Sequence, residues 1–155
     1  MPEFGTEEDV DFASSLWSAM QERGVADMSG DNVIRSFPYE GTEPHGFVLD
    51  TLYLDASVDG QEGSLIVKRN FGPEGVSIDE VMNNPGEHLD SVTVMFKREE
   101  GYAPESGDWF WAKYLPDGSL DQANEMPMSG KVAGCISCHS DAEGDDMLFT
   151  TDTLL

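Results

Sequence analysis

The 155-residue chain carries 31 Asp and Glu against eight Lys and Arg, a formal charge of −23. That balance excludes a general binder of nucleic-acid backbone, which needs a basic patch, and equally a protein held on an anionic membrane surface. The composition, 39% hydrophobic and 10% aromatic, is enough for a core, the length fits one domain, and no run of 18 apolar residues exists to span a bilayer.

Residues 1–8 read as a tail or a cloning remnant, and residues 9–155 as a single domain. Thr6, followed by Glu7, Glu8 and Asp9, resembles a helix start, with a capping hydroxyl and acids in the first turn. Val10, Ala13, Trp17 and Met20, with Leu16 beside them, form an apolar stripe at helical spacing that ends near Gly24. The stripe is expected in a core or a dimer interface.

Phe47–Leu54 reads as a first strand, with Leu49, Thr51 and Tyr53 on one face and Val48, Asp50, Leu52 and Leu54 on the other. Ser64–Phe71 is the second. Alternation separates Leu65 and Val67 from Ile66 and Lys68. The short acidic turn Asp59–Gly63 between them makes the pair antiparallel, because a parallel crossover needs a longer connection. A turn-rich stretch, Gly72–Asp90, holds His88. Ser91–Lys97 is a third strand, with Val92, Val94 and Phe96 on one face. Trp109–Leu115 is a fourth, with Trp109 and Trp111 facing away from Phe110. Ser129 is expected to cap a last helix running through His139.

The only two cysteines lie in that last segment, as Cys135-Ile136-Ser137-Cys138-His139. Cys-x-x-Cys-His is the attachment pattern of c-type haem. Two thiols three positions apart can each add to one vinyl group of a single porphyrin, and the imidazole that follows is held at the iron as an axial ligand. One haem c per chain, with iron on His139, is the cofactor expected. A zinc site using His45 and His88, and a free redox pair of thiols, stay open as alternatives. The fold class is α+β: an antiparallel β-sheet domain with flanking helices and a C-terminal haem-attachment helix. Haem c is attached outside the cytoplasm, so the expected location is the periplasm or another extracytoplasmic space. The acidic N-terminus has no apolar leader, so a signal peptide is absent from this sequence.

Ser64-Leu65-Ile66-Val67-Lys68, Gly107–Tyr114, Gly130–His139 and Asp146–Thr150 together resemble the cytochrome P460 and cytochrome c′-beta family across residues 45–150. The resemblance implies an antiparallel sheet domain, a homodimer and a haem iron with one open position, ligated by His139. In the P460 branch a lysine is bonded to the porphyrin, and Lys68 falls at that position; the activity is oxidation of hydroxylamine to nitrous oxide or nitric oxide. In the c′-beta branch a phenylalanine-lined pocket binds nitric oxide or carbon monoxide. A six-coordinate electron carrier, with His88 or a methionine as second ligand, is the third reading.

Further candidates are Glu125 as a carboxylate that moves protons and Met126 or Met128 as an iron ligand. Phe71 and Phe96 are candidate pocket walls, and Arg35 or Lys131 candidate partners of a haem propionate. The expected partners are a second copy of the chain, a small nitrogen-oxide or gas ligand, and a basic electron-transfer protein that complements the acidic surface.

Self-repulsion among 31 acids is screened by added ions. The melting temperature should therefore rise between about 0.05 M and about 1 M sodium chloride. An equal or lower value at high salt would show that specific ion pairs dominate.

Overall fold

The computed structural model describes residues 4–26, 33–34, 36–40 and 48–140. The first helix, α1 (Glu7–Arg23), starts on a reciprocal cap: Thr6 Oγ1 accepts from the Asp9 N–H and Asp9 Oδ2 accepts from the Thr6 N–H, both at 3.2 Å. It ends at Gly24, whose φ of 73° is the left-handed conformation that closes helices. The buried stripe is Phe12, Ala13, Leu16, Trp17 and Met20, so Phe12 joins the expected set while Val10 stays half-buried. The residues just before α1 fall in the expected tail, yet Phe4 bridges to Gly130 and the Gly5 N–H donates to Ser129 O at 2.8 Å.

The sheet is antiparallel and six-stranded: β1 (Tyr39–Glu40), β2 (Val48–Val58), β3 (Gln61–Phe71), β4 (Leu89–Lys97), β5 (Trp109–Tyr114) and, further along, β8 (Ser129–Gly130), in that spatial order. The expected α+β architecture is therefore the one observed. β2 and β3 run longer than their hydrophobic alternation suggests, because the turn is only Asp59-Gly60, at φ 52° and 79°. Two left-handed residues match the twist of the flanking strands, so pairing continues to Val58 and Gln61. The turn-rich stretch after β3 contains two short helices, α2 (Ile78–Asn83), capped by Ser77 and Glu80, and α3 (Pro85–His88).

The C-terminal region departs from expectation in one respect. Ser129 does not cap the last helix; it pairs with Ala112 as part of edge strand β8, and α4 (Ala133–Ser140) begins four residues later. Before β8, a small hairpin is made by β6 (Gln122–Ala123) and β7 (Met126–Pro127).

Alternation gives the central strands two buried faces. On one, Leu65, Val67, Val94, Phe96, Phe110 and Tyr114 pack beneath α1. The Phe12 ring lies 4.7 Å from Phe110, and Tyr114 OH donates to Ala13 O at 2.7 Å. The same side buries Arg69, which donates from Nε and Nη2 to Asp50 and from Nη2 to Ile34 O. On the other, Ile66, Met95, Trp109 and Trp111 pack with Val132, just before α4.

Gly130 has φ 98°, and a Cβ there would sit 2.5 Å from the Asp9 carboxylate. Gly130→Ala combines backbone strain with that collision. It should lower unfolding free energy by about 2 kcal/mol in a urea titration; an unchanged midpoint would show that the close approach of Gly130 to the start of α1 does not constrain the fold.

Candidate functional site

Strand register arranges the face beneath α4 in rows. Tyr53, Ile66, Met95, Trp111 and Gly130 are consecutive partners across β2, β3, β4, β5 and β8. Two residues along the strands, the next row is Thr51, Lys68, Thr93 and Lys113. A third holds Leu49, Asn70 and Ser91, where Asn70 Nδ2 donates to Ser91 Oγ at 3.0 Å. The face thus grades from apolar and aromatic to polar.

Between this face and α4 lies a cavity of about 320 Å³, within the size range of small-ligand and cofactor sites. Ile66, Met95, Trp111 and Met128 give it apolar walls, Lys68, Thr93 and Lys113 a polar end, and Cys135, Cys138 and His139 its helical side. Both cysteines are free thiols, Cys135 half-buried and Cys138 exposed. Burial pushes the Cys135 thiol up to about 11, so at neutral pH it stays protonated and apolar. His139 is only 7% exposed, and its ring centroid lies 4.8 Å from that of Trp111.

These residues fit a covalently held haem. The two thiols and the imidazole meet one cavity from one helix, and its walls are mostly apolar, as a porphyrin requires. Trp111 lines the cavity with its Nε1–H buried and without an acceptor. An unpaired buried donor costs about 1–3 kcal/mol.

Lys68 stands on the cavity wall with Ile66, while Leu65 and Val67 turn to the α1 side. Lys113 lines the same space, and its Nζ lies 3.1 Å from Asp121 Oδ2. Burial works against the Asp121 charge, but the Gln122 N–H and Lys113 outweigh it and its pKa lies below the usual carboxylate value. Phe71 and Phe96 do not wall the cavity: both are buried in the α1 cluster, because alternation sends them to the opposite face. His88 closes α3, half-buried and outside the cavity lining. Glu125 is exposed, at φ 67°, in the turn between β6 and β7, also outside the lining. Met126 is exposed in that hairpin, whereas Met128 reaches the cavity. Lys131 lies with its Nζ 5.1 Å from the Tyr102 ring centroid. Arg35, His45 and the segment 146–150 lie outside the described residues.

Sequence reasoning missed Thr93, Met95 and Lys113. The signal was available by counting outward from neighbours: Val94 and Phe96 on the core side put Thr93 and Met95 on the other, and Trp111 carries Lys113 with it. Among the described residues, no group of three His, Cys, Asp or Glu side chains is arranged to hold a metal ion, so the zinc alternative gains no support there.

The sequence model of the family described as Cytochrome P460 matches residues 40–150. No curated protein and no solved structure matches the chain.

Covalent attachment has a direct test. After denaturation in acid, the intact mass of the protein should include one haem, and acidified organic solvent should extract none. Cys135→Ala or Cys138→Ala should leave at most one thioether bond, and His139→Ala should lose the imidazole-ligated spectrum. Imidazole ligation that survives His139→Ala would remove that residue from the iron.

Proposed function

The chain belongs to the cytochrome P460 family and carries haem c with its iron, and on that premise we propose that it oxidises hydroxylamine to nitrous oxide or nitric oxide. Cys135 and Cys138 tether the porphyrin, His139 holds the iron from the α4 side, and Lys68 is joined to the porphyrin edge. The observation that carries this reading is the position of Lys68 on the same cavity as the attachment helix.

The bound haem supplies an iron that takes small nitrogen ligands and passes on their electrons. The residues of this chain hold and enclose it. Ile66, Met95 and Trp111 exclude water from one side of the cavity, which strengthens every polar interaction inside. Trp111, packed on His139, limits how the imidazole can turn. A bond from the Lys68 amine to a porphyrin carbon would replace an N–H and a C–H by a C–N bond, a two-electron oxidation for which an oxidant of the peroxide class, reduced to water, would be needed once.

A gas-binding role is the second reading. The apolar walls of Ile66, Met95 and Met128 favour it, since a neutral diatomic needs no polar contacts. The covalent lysine bond separates the two.

The proposed setting is extracytoplasmic, where haem c is attached; no helix among the described residues is long and apolar enough to cross a membrane. A homodimer is proposed, with the exposed aromatics Phe37 (82% exposed), Tyr39 and Tyr53 at the β1–β2 edge as supporting surface. The charge of −23 favours a basic electron-transfer partner.

The deciding experiment is a tryptic digest of the haem-loaded protein, read by mass spectrometry. The peptide containing Lys68 should be joined through haem to that containing Cys135 and Cys138. Lys68→Ala should keep its thioether-bound haem, take on an ordinary c-type spectrum and lose hydroxylamine oxidation at least about 100-fold. Separate peptides after peroxide treatment of the wild type would overturn the proposal and leave gas binding as the function.

A further inference from the structure

Among the described residues, the titratable side chains that line the cavity are Lys68, Lys113, Cys135, Cys138 and His139. All but one have a place in the proposed haem site: the thiols carry the porphyrin, His139 takes the iron and Lys68 is joined to the porphyrin edge. Of these five, Lys113 alone keeps a proton to give.

The backbone sets the partner of this lysine. The Lys113 N–H donates to Met128 O at 3.1 Å, and the Asp121 N–H donates to Lys113 O at 2.9 Å, which fixes Asp121 and the cavity residue Met128 beside it. Lys113 Nζ lies 3.1 Å from Asp121 Oδ2, and the two side chains are 29% and 35% exposed, so water reaches the pair. The inner side of the same charge faces the attachment helix: burial raises the Cys135 thiol, and the Lys113 ammonium works against that rise. An ammonium has three N–H groups, so one contact with Asp121 anchors it and leaves donors for a second acceptor. The pair thus connects solvent to the cavity.

We infer that Lys113 is the proton donor of the pocket, positioned by Asp121, and that it directs hydroxylamine to nitrous oxide rather than nitric oxide. The inference rests on the proposed hydroxylamine reaction and chooses between its two products. Nitric oxide forms from one hydroxylamine by loss of three protons and three electrons, and the N–O bond stays intact. Nitrous oxide forms from two hydroxylamines with one water, four protons and four electrons, and one N–O bond breaks. The departing oxygen keeps the bonding pair, takes a proton from Lys113 Nζ and leaves as water; Lys113 regains a proton from solvent on its exposed side. In both cases the electrons pass to the electron-transfer partner. Only the route to nitrous oxide needs the acid, so its loss changes the product and not merely the rate.

The test uses haem-loaded wild type, Lys113→Met, Lys113→Arg and Asp121→Asn. Nitrous oxide and nitric oxide are measured during hydroxylamine oxidation with ferricyanide as electron acceptor, and the infrared C–O band is read for carbon monoxide on the ferrous protein. Lys113→Met keeps the shape of the side chain but not its charge. It should form nitrous oxide about 100-fold more slowly, shift the product to nitric oxide and raise the C–O frequency, because no ammonium polarises the ligand. Lys113→Arg should retain nitrous oxide as product, and Asp121→Asn, which leaves the donor without its anchor, should give both products and a broadened band. An unchanged product ratio or an unmoved C–O band in Lys113→Met would overturn the assignment, as would a wild type that makes nitric oxide alone. A wild type inert to hydroxylamine would instead refute the proposed function, and the C–O band alone would then decide whether Lys113 serves a ligand on the iron. Should Lys113→Met fail to load haem, Lys113→Gln decides by the same criteria.

Discussion

Backbone hydrogen bonds lock β3, β4 and β5 into one register, and a side-chain period of two then forces each strand to serve two interiors at once. Leu65, Val67, Phe96 and Phe110 are committed to α1, so Ile66, Lys68, Met95 and Trp111 must face α4. A slip of one residue in β3 would bury Lys68 beneath α1 and put Val67 in the cavity. The chemistry of the pocket is thus held by the apolar packing on the far side of the sheet, where Phe12, Leu16 and Trp17 supply the contacts. Large-to-small substitutions there cost about 2–5 kcal/mol each.

That far side also holds a buried ion pair. Arg69 is fully buried and bonded to Asp50, with its Nη1 atom unpaired. A buried ion pair is weak support for stability, but losing either partner strands a charge. The pair is directly opposite across β2 and β3, and Arg69 follows Lys68 in sequence. Out-of-register pairings of the hairpin are therefore penalised at the position next to the pocket lysine. Arg69 Nη2 also reaches Ile34 O, which ties the segment after α1 to the sheet.

Much of this was legible from local pattern. Cys135, Cys138 and His139 announce their cofactor through spacing alone, and α1 through its cap and stripe. The alternation of Leu65-Ile66-Val67-Lys68 places Lys68 opposite the core residues, as found. What local pattern could not give was anything fixed by distant partners. Ser129 has the chemistry of a cap, but Ala112 across β5 and the Gly5 N–H claim its backbone first. Phe71 and Phe96 have the chemistry of a pocket wall, yet only the position of α1 says which face is which. Glu125 precedes the attachment helix in sequence but sits at the tip of a hairpin whose left-handed turn carries it into solvent.

The order of strands across β2, β3, β4 and β5 is their order along the chain, closed first by the tight Asp59-Gly60 turn. Such a meander relies on contacts between segments close in sequence, which lowers the entropy lost before pairing begins to stabilise the chain. None of those pairings involves α4. The wall of the pocket can form while the Cys-x-x-Cys-His helix is still undocked, so the segment that must be handled by the attachment machinery is the one whose folding can wait. A helix of eight residues is too short to be stable alone, so a haem tethered to Cys135 and Cys138 would supply the contacts that hold it against a finished sheet.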